Sequence, residues 1–313
     1  MIFAALHIEN DTGLPYKTFQ SSAFCNAASI AREIQLSIDT RNTPPQAAPG
    51  KAADTIVESF LRARRQGSFL AEFPAEIPTD LVAAYRIQDQ AIAGWNDTVV
   101  GWKVGYIAAE KRDASGDDRL LGPIFHRNLQ AAEEAHSFPV FVGGFGAIEA
   151  EYVLRLHADA PAGKSDWTPD EAAQLPASLY LGIEVASSPL ATINVLGPRV
   201  VVSDFGNNNG LILGKEIPDW HTIPEVDLIA RSYIDDQLVG SGGATMLPGG
   251  LLAAYAFALS RSARRGRPLK AGDLIATGNA TGIHDITPGQ RARVEFEGFG
   301  EITAVAVAAG EQG

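Results

Sequence analysis

Two glutamates one residue apart, Glu149 and Glu151, lie in the run Gly-Ala-Ile-Glu-Ala-Glu-Tyr-Val-Leu-Arg-Leu (146–156). From Ile148 to Leu156 the residues alternate. Ile148, Ala150, Tyr152, Leu154 and Leu156 fall on one side; Glu149, Glu151, Val153 and Arg155 fall on the other. Such alternation predicts a strand, in which residues i and i+2 share a face. The two carboxylates then point the same way, roughly 6–7 Å apart. Shielded from water, that pair costs on the order of 2–3 kcal/mol at an effective dielectric of about 20. Solvent relieves such repulsion, and so does a cation. Glu184, within Leu-Tyr-Leu-Gly-Ile-Glu-Val-Ala (179–186), favours the cation, because its surroundings are too apolar for an unpaired carboxylate. Three converging carboxylates make a hard, all-oxygen site suited to Mg²⁺ or Mn²⁺, with coordination positions left for water or substrate oxygens.

Lys103 is the second candidate. It stands in the compact apolar run Val-Val-Gly-Trp-Lys-Val-Gly (99–105), where a lysine either snorkels from an edge or serves a site. Asp204-Phe-Gly-Asn-Asn208-Asn-Gly210 and Thr277-Gly-Asn279-Ala-Thr-Gly282 each admit two readings. Both stretches have turn chemistry. Both can equally line a polar pocket, with Asp204, Asn208, Thr277 and Asn279 as its substrate-binding residues.

The elements that must position these residues follow from periodicity. Residues 1–50 lack it and end in Asn-Thr-Pro-Pro-Gln-Ala-Ala-Pro-Gly (42–50), the composition of a disordered leader. Ile56, Val57, Phe60 and Leu61 recur at helical spacing before Gly67, and a second helix is expected from Thr79 as N-cap through Trp95. Residues 51–98 are therefore a helical region. From Val99 short strands with glycine punctuation take over, including one at Arg199–Ser203 and a hairpin around Asp235-Asp236-Gln237. One long helix, from about Pro248 to Gly266, is inserted before the closing strands at 274–277, 291–296 and 302–307. Regular strand–helix alternation is absent, so the fold class is α+β, helices followed by a mixed, mostly β domain over 99–310.

Composition excludes several functions. A net charge of −12 disfavours a nucleic-acid surface, which needs clustered Lys and Arg. No apolar run reaches membrane-spanning length, so no membrane partner is expected. One cysteine, Cys25, excludes an internal disulfide and a thiolate zinc cage, and a cytoplasmic protein is expected. The chain lacks a Gly-x-Ser-x-Gly elbow, a P-loop and a His-x-x-x-His pair.

Taken in order, Val100-Gly-Trp-Lys-Val-Gly105, Glu149-Ala-Glu151, Gly182-Ile-Glu184, Gly210-Leu-Ile-Leu-Gly214 and Pro268-Leu-Lys-Ala-Gly-Asp273 resemble the fumarylacetoacetate hydrolase superfamily. Within it they resemble the 2-keto-4-pentenoate hydratase / oxalocrotonate decarboxylase branch, over roughly residues 52–308. The resemblance implies a mixed β-roll or sandwich core with N-terminal helices, assembly into homo-oligomers, Glu149, Glu151 and Glu184 as ligands of Mg²⁺ or Mn²⁺, and Lys103 as the active-site lysine. It implies a metal-dependent hydratase acting on a 2-hydroxy-2,4-dienoate or 2-oxo acid of aromatic catabolism. Carbon–carbon hydrolysis, 2-oxo acid decarboxylation and non-catalytic binding of such a small molecule are the alternatives. One departure stands out. Where many hydratases carry an acidic residue in a turn after the lysine strand, this chain reads Asp-Asp118-Arg-Leu-Leu-Gly-Pro-Ile-Phe-His126, which leaves Asp118 and His126 as the nearest catalytic acid/base candidates. Lys215 resembles a lysine of the hydrolase branch, with different loop lengths around it.

Overall fold

A computed structural model describes residues 50–310; the leader expected over 1–50 lies outside them but for Gly50. Helix α1 (Lys51–Gln66) buries Ile56, Val57, Phe60 and Leu61 and stops at Gly67, whose left-handed backbone (φ 61°) returns its N–H to the carbonyls of Ala63 and Arg64. Helix α2 (Leu81–Gly94) is capped by Asp80, not Thr79: the Asp80 carboxylate accepts from Ala83 N at 2.8 Å while the Thr79 hydroxyl donates to Asp80.

Twelve strands follow: β1 (Val99–Tyr106), β2 (Arg119–Phe125), β3 (Leu129–Ala131), β4 (Ser137–Val140), β5 (Phe145–Leu156), β6 (Ala177–Ser188), β7 (Asn208–Ile217), β8 (Ile229–Ile234), β9 (Gln237–Gly243), β10 (Leu274–Asp285), β11 (Arg291–Phe296) and β12 (Gly300–Ala308). They form a seven-stranded mixed sheet, ordered β2-β1-β10-β5-β6-β7-β3, and a five-stranded one, ordered β4-β12-β11-β8-β9. The sheets share a core in which Tyr152 of β5 meets Phe296 of β11 edge-on, with ring centres 5.6 Å apart. The N-terminal helices bury their apolar faces in the same core.

Between β5 and β6 lies the single turn α3 (Pro169–Ala172). Between β6 and β7 lie α4 (Ile193–Leu196) and α5 (Pro198–Ser203); the long helix is α6 (Gly250–Arg264). The α+β reading therefore stands, with three local corrections. Arg199–Ser203, expected as a strand, belongs to α5. Pro198 opens that helix at a position where its missing N–H costs nothing, and burial of Val200, Val201 and Val202 outweighs the weak helix propensity of valine. The stretch 117–126, matched to a turn in many hydratases, supplies β2 over Arg119–Phe125, buried along its whole length. The final strand group begins with β10, which runs on to Asp285 through the expected turn at 277–282. The hairpin falls where it was expected, with Asp235 and Asp236 at φ 48° and 64°.

Arg64 fastens α1 to the sheet. Its guanidinium grips the Asp204 carboxylate at 2.6 and 3.0 Å, and the Ser188 hydroxyl donates to the same carboxylate at 2.7 Å. Both charged side chains are buried. Arg64→Met leaves the Asp204 charge without its partner and is expected to cost about 3–5 kcal/mol in denaturant unfolding, and Arg64→Met/Asp204→Leu to recover most of it. A loss below about 1 kcal/mol, the range of exposed ion pairs, contradicts this.

Candidate metal centre

Strands β5 and β6 run antiparallel with Glu149 directly opposite Glu184, and Glu151 opposite Gly182. All three carboxylates therefore stand on one face of the large sheet. An oxygen from each lies within 4.8 Å of the other two, with every one of the three side chains buried. Like charges placed opposite one another on neighbouring strands are destabilising. Gly182 keeps the space beside Glu151 open, since a Cβ there would stand 2.7 Å from Val153 Cγ2.

β10 completes this wall by bulging. Its pairing with β5 slips between Ala276 and Asn279 and again between Asn279 and Ile283, and Gly278 (φ 126°) turns its N–H onto Glu151 Oε2 at 2.7 Å. Lys103 comes from β1, paired with Ala276 on one side and Gly122 on the other. Its Nζ lies 3.2 Å from Glu184 Oε1, and Asn208 Nδ2 donates to that same oxygen at 3.2 Å. Each of these contacts leaves another oxygen free. Glu149 Oε1, Glu151 Oε1 and Glu184 Oε2 are buried with no hydrogen-bond donor among the described residues.

Three negative charges face one positive charge, so the ionised cluster carries an excess of two. The structure answers this in its pKa values. Burial, then repulsion from Glu184 and Glu149, raises Glu151 well above the carboxylate range. Burial also pushes Glu184 up to about 7, against the attraction of Lys103. Burial works against the Lys103 ammonium too, but Glu184, Glu149 and Glu151 outweigh it and hold its pKa above the usual lysine value. Three orphaned oxygens, an all-oxygen donor set and a double negative excess fit a hard dication.

A cavity of about 200 Å³ opens over Glu149 and Lys103, and Asn279 lines it. Thr277 is spent on structure, its hydroxyl donating to Tyr152 O at 2.7 Å. Asp204 is held by Arg64 and Ser188 as described. Asp118 and His126 are not brought to the site. Asp118 precedes β2 and pairs with Arg119. His126 follows the opposite end of that strand, beyond the Phe125–Val99 pair. Lys215 lines a second cleft with Glu133 and Glu301.

Among solved structures, the chain is similar to 4-oxalocrotonate decarboxylase from Pseudomonas putida G7 complexed with magnesium and adipate, with a TM-score of 0.68 and 18% identity over 83% of this chain and 99% of that one. The same enzyme complexed with calcium and acetate matches with a TM-score of 0.66 and 17% identity over the same shares. A protein from Yersinia pestis CO92 assigned to the fumarylacetoacetate hydrolase family matches with a TM-score of 0.50 and 16% identity, over 68% of this chain and 95% of that one. No family model matches the chain. The chain has the fumarylacetoacetate hydrolase fold.

Sequence reasoning missed part of this fold's cavity wall. Asn194, Asn207 and Lys111 line it, and only the neighbouring Asn208 had been singled out. The three come from a short helix, a left-handed turn and a single 3-10 turn (109–111), which carry no periodic signal.

The raised carboxylates set a pH dependence. Between the unfolded value near 4.5 and the folded value of about 7 for Glu184, the metal-free native state holds a proton that the unfolded chain has released. Stability from this group is therefore present below pH 4.5 and lost as pH rises through 7. Metal binding expels that proton. The rise in melting temperature on adding Mg²⁺ is expected to be larger at pH 8 than at pH 5.5, and Mg²⁺ binding at pH 5.5 to release protons in calorimetry; a pH-independent rise contradicts the assignment.

Proposed function

We propose that the protein is a metal-dependent enzyme acting on a small 2-oxo or 2-hydroxy-dienoic acid, and specifically a hydratase. The observation that carries the reading is the buried triad of Glu149, Glu151 and Glu184, which meets a cavity of about 200 Å³ through Glu149 and the neighbouring Lys103. Glu149, Glu151 and Glu184 would hold a dication, Mg²⁺ or Mn²⁺, which would supply Lewis-acid stabilisation of negative charge developing on the substrate's C2 oxygen. Lys103, kept protonated by its neighbours, adds a fixed positive charge at the same end of the cavity. Asn208 orients Glu184, and the Gly278 N–H orients Glu151, so the donors are in place before substrate arrives. For the dienoate, the C2 hydroxyl loses its proton as C2–O becomes a carbonyl and C5 gains one, giving the 2-oxo-3-enoate. The oxygen of water then bonds to C4, one hydrogen stays on that oxygen and the other is delivered as a proton to C3.

No histidine lines the cavity among the described residues, which weighs against carbon–carbon hydrolysis by a Glu–His pair. Decarboxylation is the second reading. Lys111 at the cavity wall has no ion-pair partner among the described residues and offers a charge for a second carboxylate. Composition carries the expectation of a cytoplasmic location, and the resemblance that of homo-oligomeric assembly.

With Mg²⁺ and 2-hydroxypenta-2,4-dienoate, loss of diene absorbance and formation of 4-hydroxy-2-oxopentanoate are expected. Carbon dioxide released from a 2-oxo-enedioate would select decarboxylation instead, and silence with both acids would leave a binder without turnover. Lys103→Met is expected to slow turnover about 10²–10⁴-fold, while Mg²⁺ binds at least as tightly because the competing positive charge is gone. Weaker Mg²⁺ binding in that variant would place Lys103 among the groups that build the metal site.

A further inference from the structure

Strand β7 opens on a bulge. Glu184 of β6 lies opposite Leu211 and Val185 opposite Gly210, but Ala186 lies opposite Asn208. Asn209 is therefore one residue more than the ladder needs. Residues directly opposite on paired strands share a face, and neighbours along a strand point to opposite faces. In an unbroken register Ala186 would meet Asn209, and Asn208 would point away from the carboxylates. With the extra residue in place, Asn208 shares the face of Ala186 and Glu184, and its Nδ2 reaches Glu184 Oε1 at 3.2 Å. A bulge displaced by one position along β7 would undo that aim.

The extra residue is clamped on every side. Asn209 Oδ1 accepts from Arg64 Nη1 at 3.1 Å, its Nδ2 donates to Pro139 O at 2.8 Å, and its backbone carbonyl accepts from Asn128 Nδ2 at 3.0 Å. Arg64 also spans the bulge, since its Nη2 donates to Ser187 O on β6 at 3.3 Å. The same guanidinium grips Asp204, so it holds both ends of the segment between Asp204 and Asn209. Within that segment Phe205, Gly206 and Asn207 take φ values of 54°, 66° and 56°, a left-handed turn that the two residues with a Cβ adopt at a cost. A Cβ on Gly206 would stand 2.6 Å from Gly122 Cα, so β2 presses directly on the turn. Turn and bulge are fixed as one unit.

We infer that Asn209 is a positioning residue of the metal site. Locked by Arg64, Pro139 and Asn128, it keeps the bulge at the one place along β7 that aims the Asn208 amide at Glu184. The inference rests on the metal-binding reading above and deepens it: affinity for the dication depends on a clamp whose groups do not touch the three carboxylates.

Calorimetric titration of the full chain with Mg²⁺, far below the melting temperature, tests this. Asn208→Ala and Asn209→Ala are each expected to weaken Mg²⁺ binding about tenfold, as loss of a group that orients a metal ligand does. Because the two act along one line, Asn208→Ala/Asn209→Ala should bind no more weakly than Asn208→Ala alone. Arg64→Met/Asp204→Leu, in which stability is largely restored, should show the same loss of affinity, a result that a merely structural role would not give. Wild-type affinity in Asn209→Ala or in Arg64→Met/Asp204→Leu would overturn the inference, and so would losses that multiply in Asn208→Ala/Asn209→Ala. A wild-type chain that binds no Mg²⁺ would overturn the functional reading instead.

Discussion

An excess of negative charge in a place without water governs this molecule. Three buried carboxylates surround one another within 4.8 Å, and one ammonium answers them. Burying even one unpaired charge is unfavourable. A chain that places two more acids beside a balanced Glu–Lys pair therefore keeps protons on its carboxylates or takes up a cation. Both responses are built in. Raised carboxylate pKa values describe the first, and three oxygens without donors describe the second.

The architecture around the triad serves that imbalance. Antiparallel pairing of β5 with β6 sets two glutamates face to face, and the i+2 spacing adds the third. Both faces of β5 are buried: Ile148, Tyr152 and Leu154 enter the main core, while Val153 joins a small apolar cluster with Leu211 and Ala276 on the carboxylate face. That second cluster lies alongside the acids on their face of the sheet. Glycines keep the site clear at defined points. Gly182 leaves room beside Glu151, and Gly105 leaves room for Leu120, whose Cδ1 would stand 3.1 Å from a Cβ there. On the far side, the Arg64–Asp204 pair holds α1 against the segment that ends in the strained turn at Asn207.

Much of this was legible before the structure. Alternation along 148–156 marked a strand with two acids on one face, and the apolar surroundings of Glu184 implied a partner. Those signals are local, and local periodicity survives tertiary packing. What escaped reading depends on distant contacts. Val200-Val201-Val202 reads as a strand by its β-branching, yet Pro198 and burial make it helical. Thr277–Gly282 reads as a turn by its glycines, yet it is a bulged strand held by β5. Asp204 reads as a pocket acid, but Arg64, 140 positions away, claims it. Asn207 reads as one asparagine of three. Only the contact of Gly206 with Gly122 distinguishes it, and nothing in the order of residues foretells that contact.

Anomalous diffraction from crystals grown with Mn²⁺ tests the central claim most directly. The account predicts one strong peak bounded by Glu149, Glu151 and Glu184, and its loss in Glu184→Gln. No peak at that position, with the three side chains still gathered and dry, would contradict it.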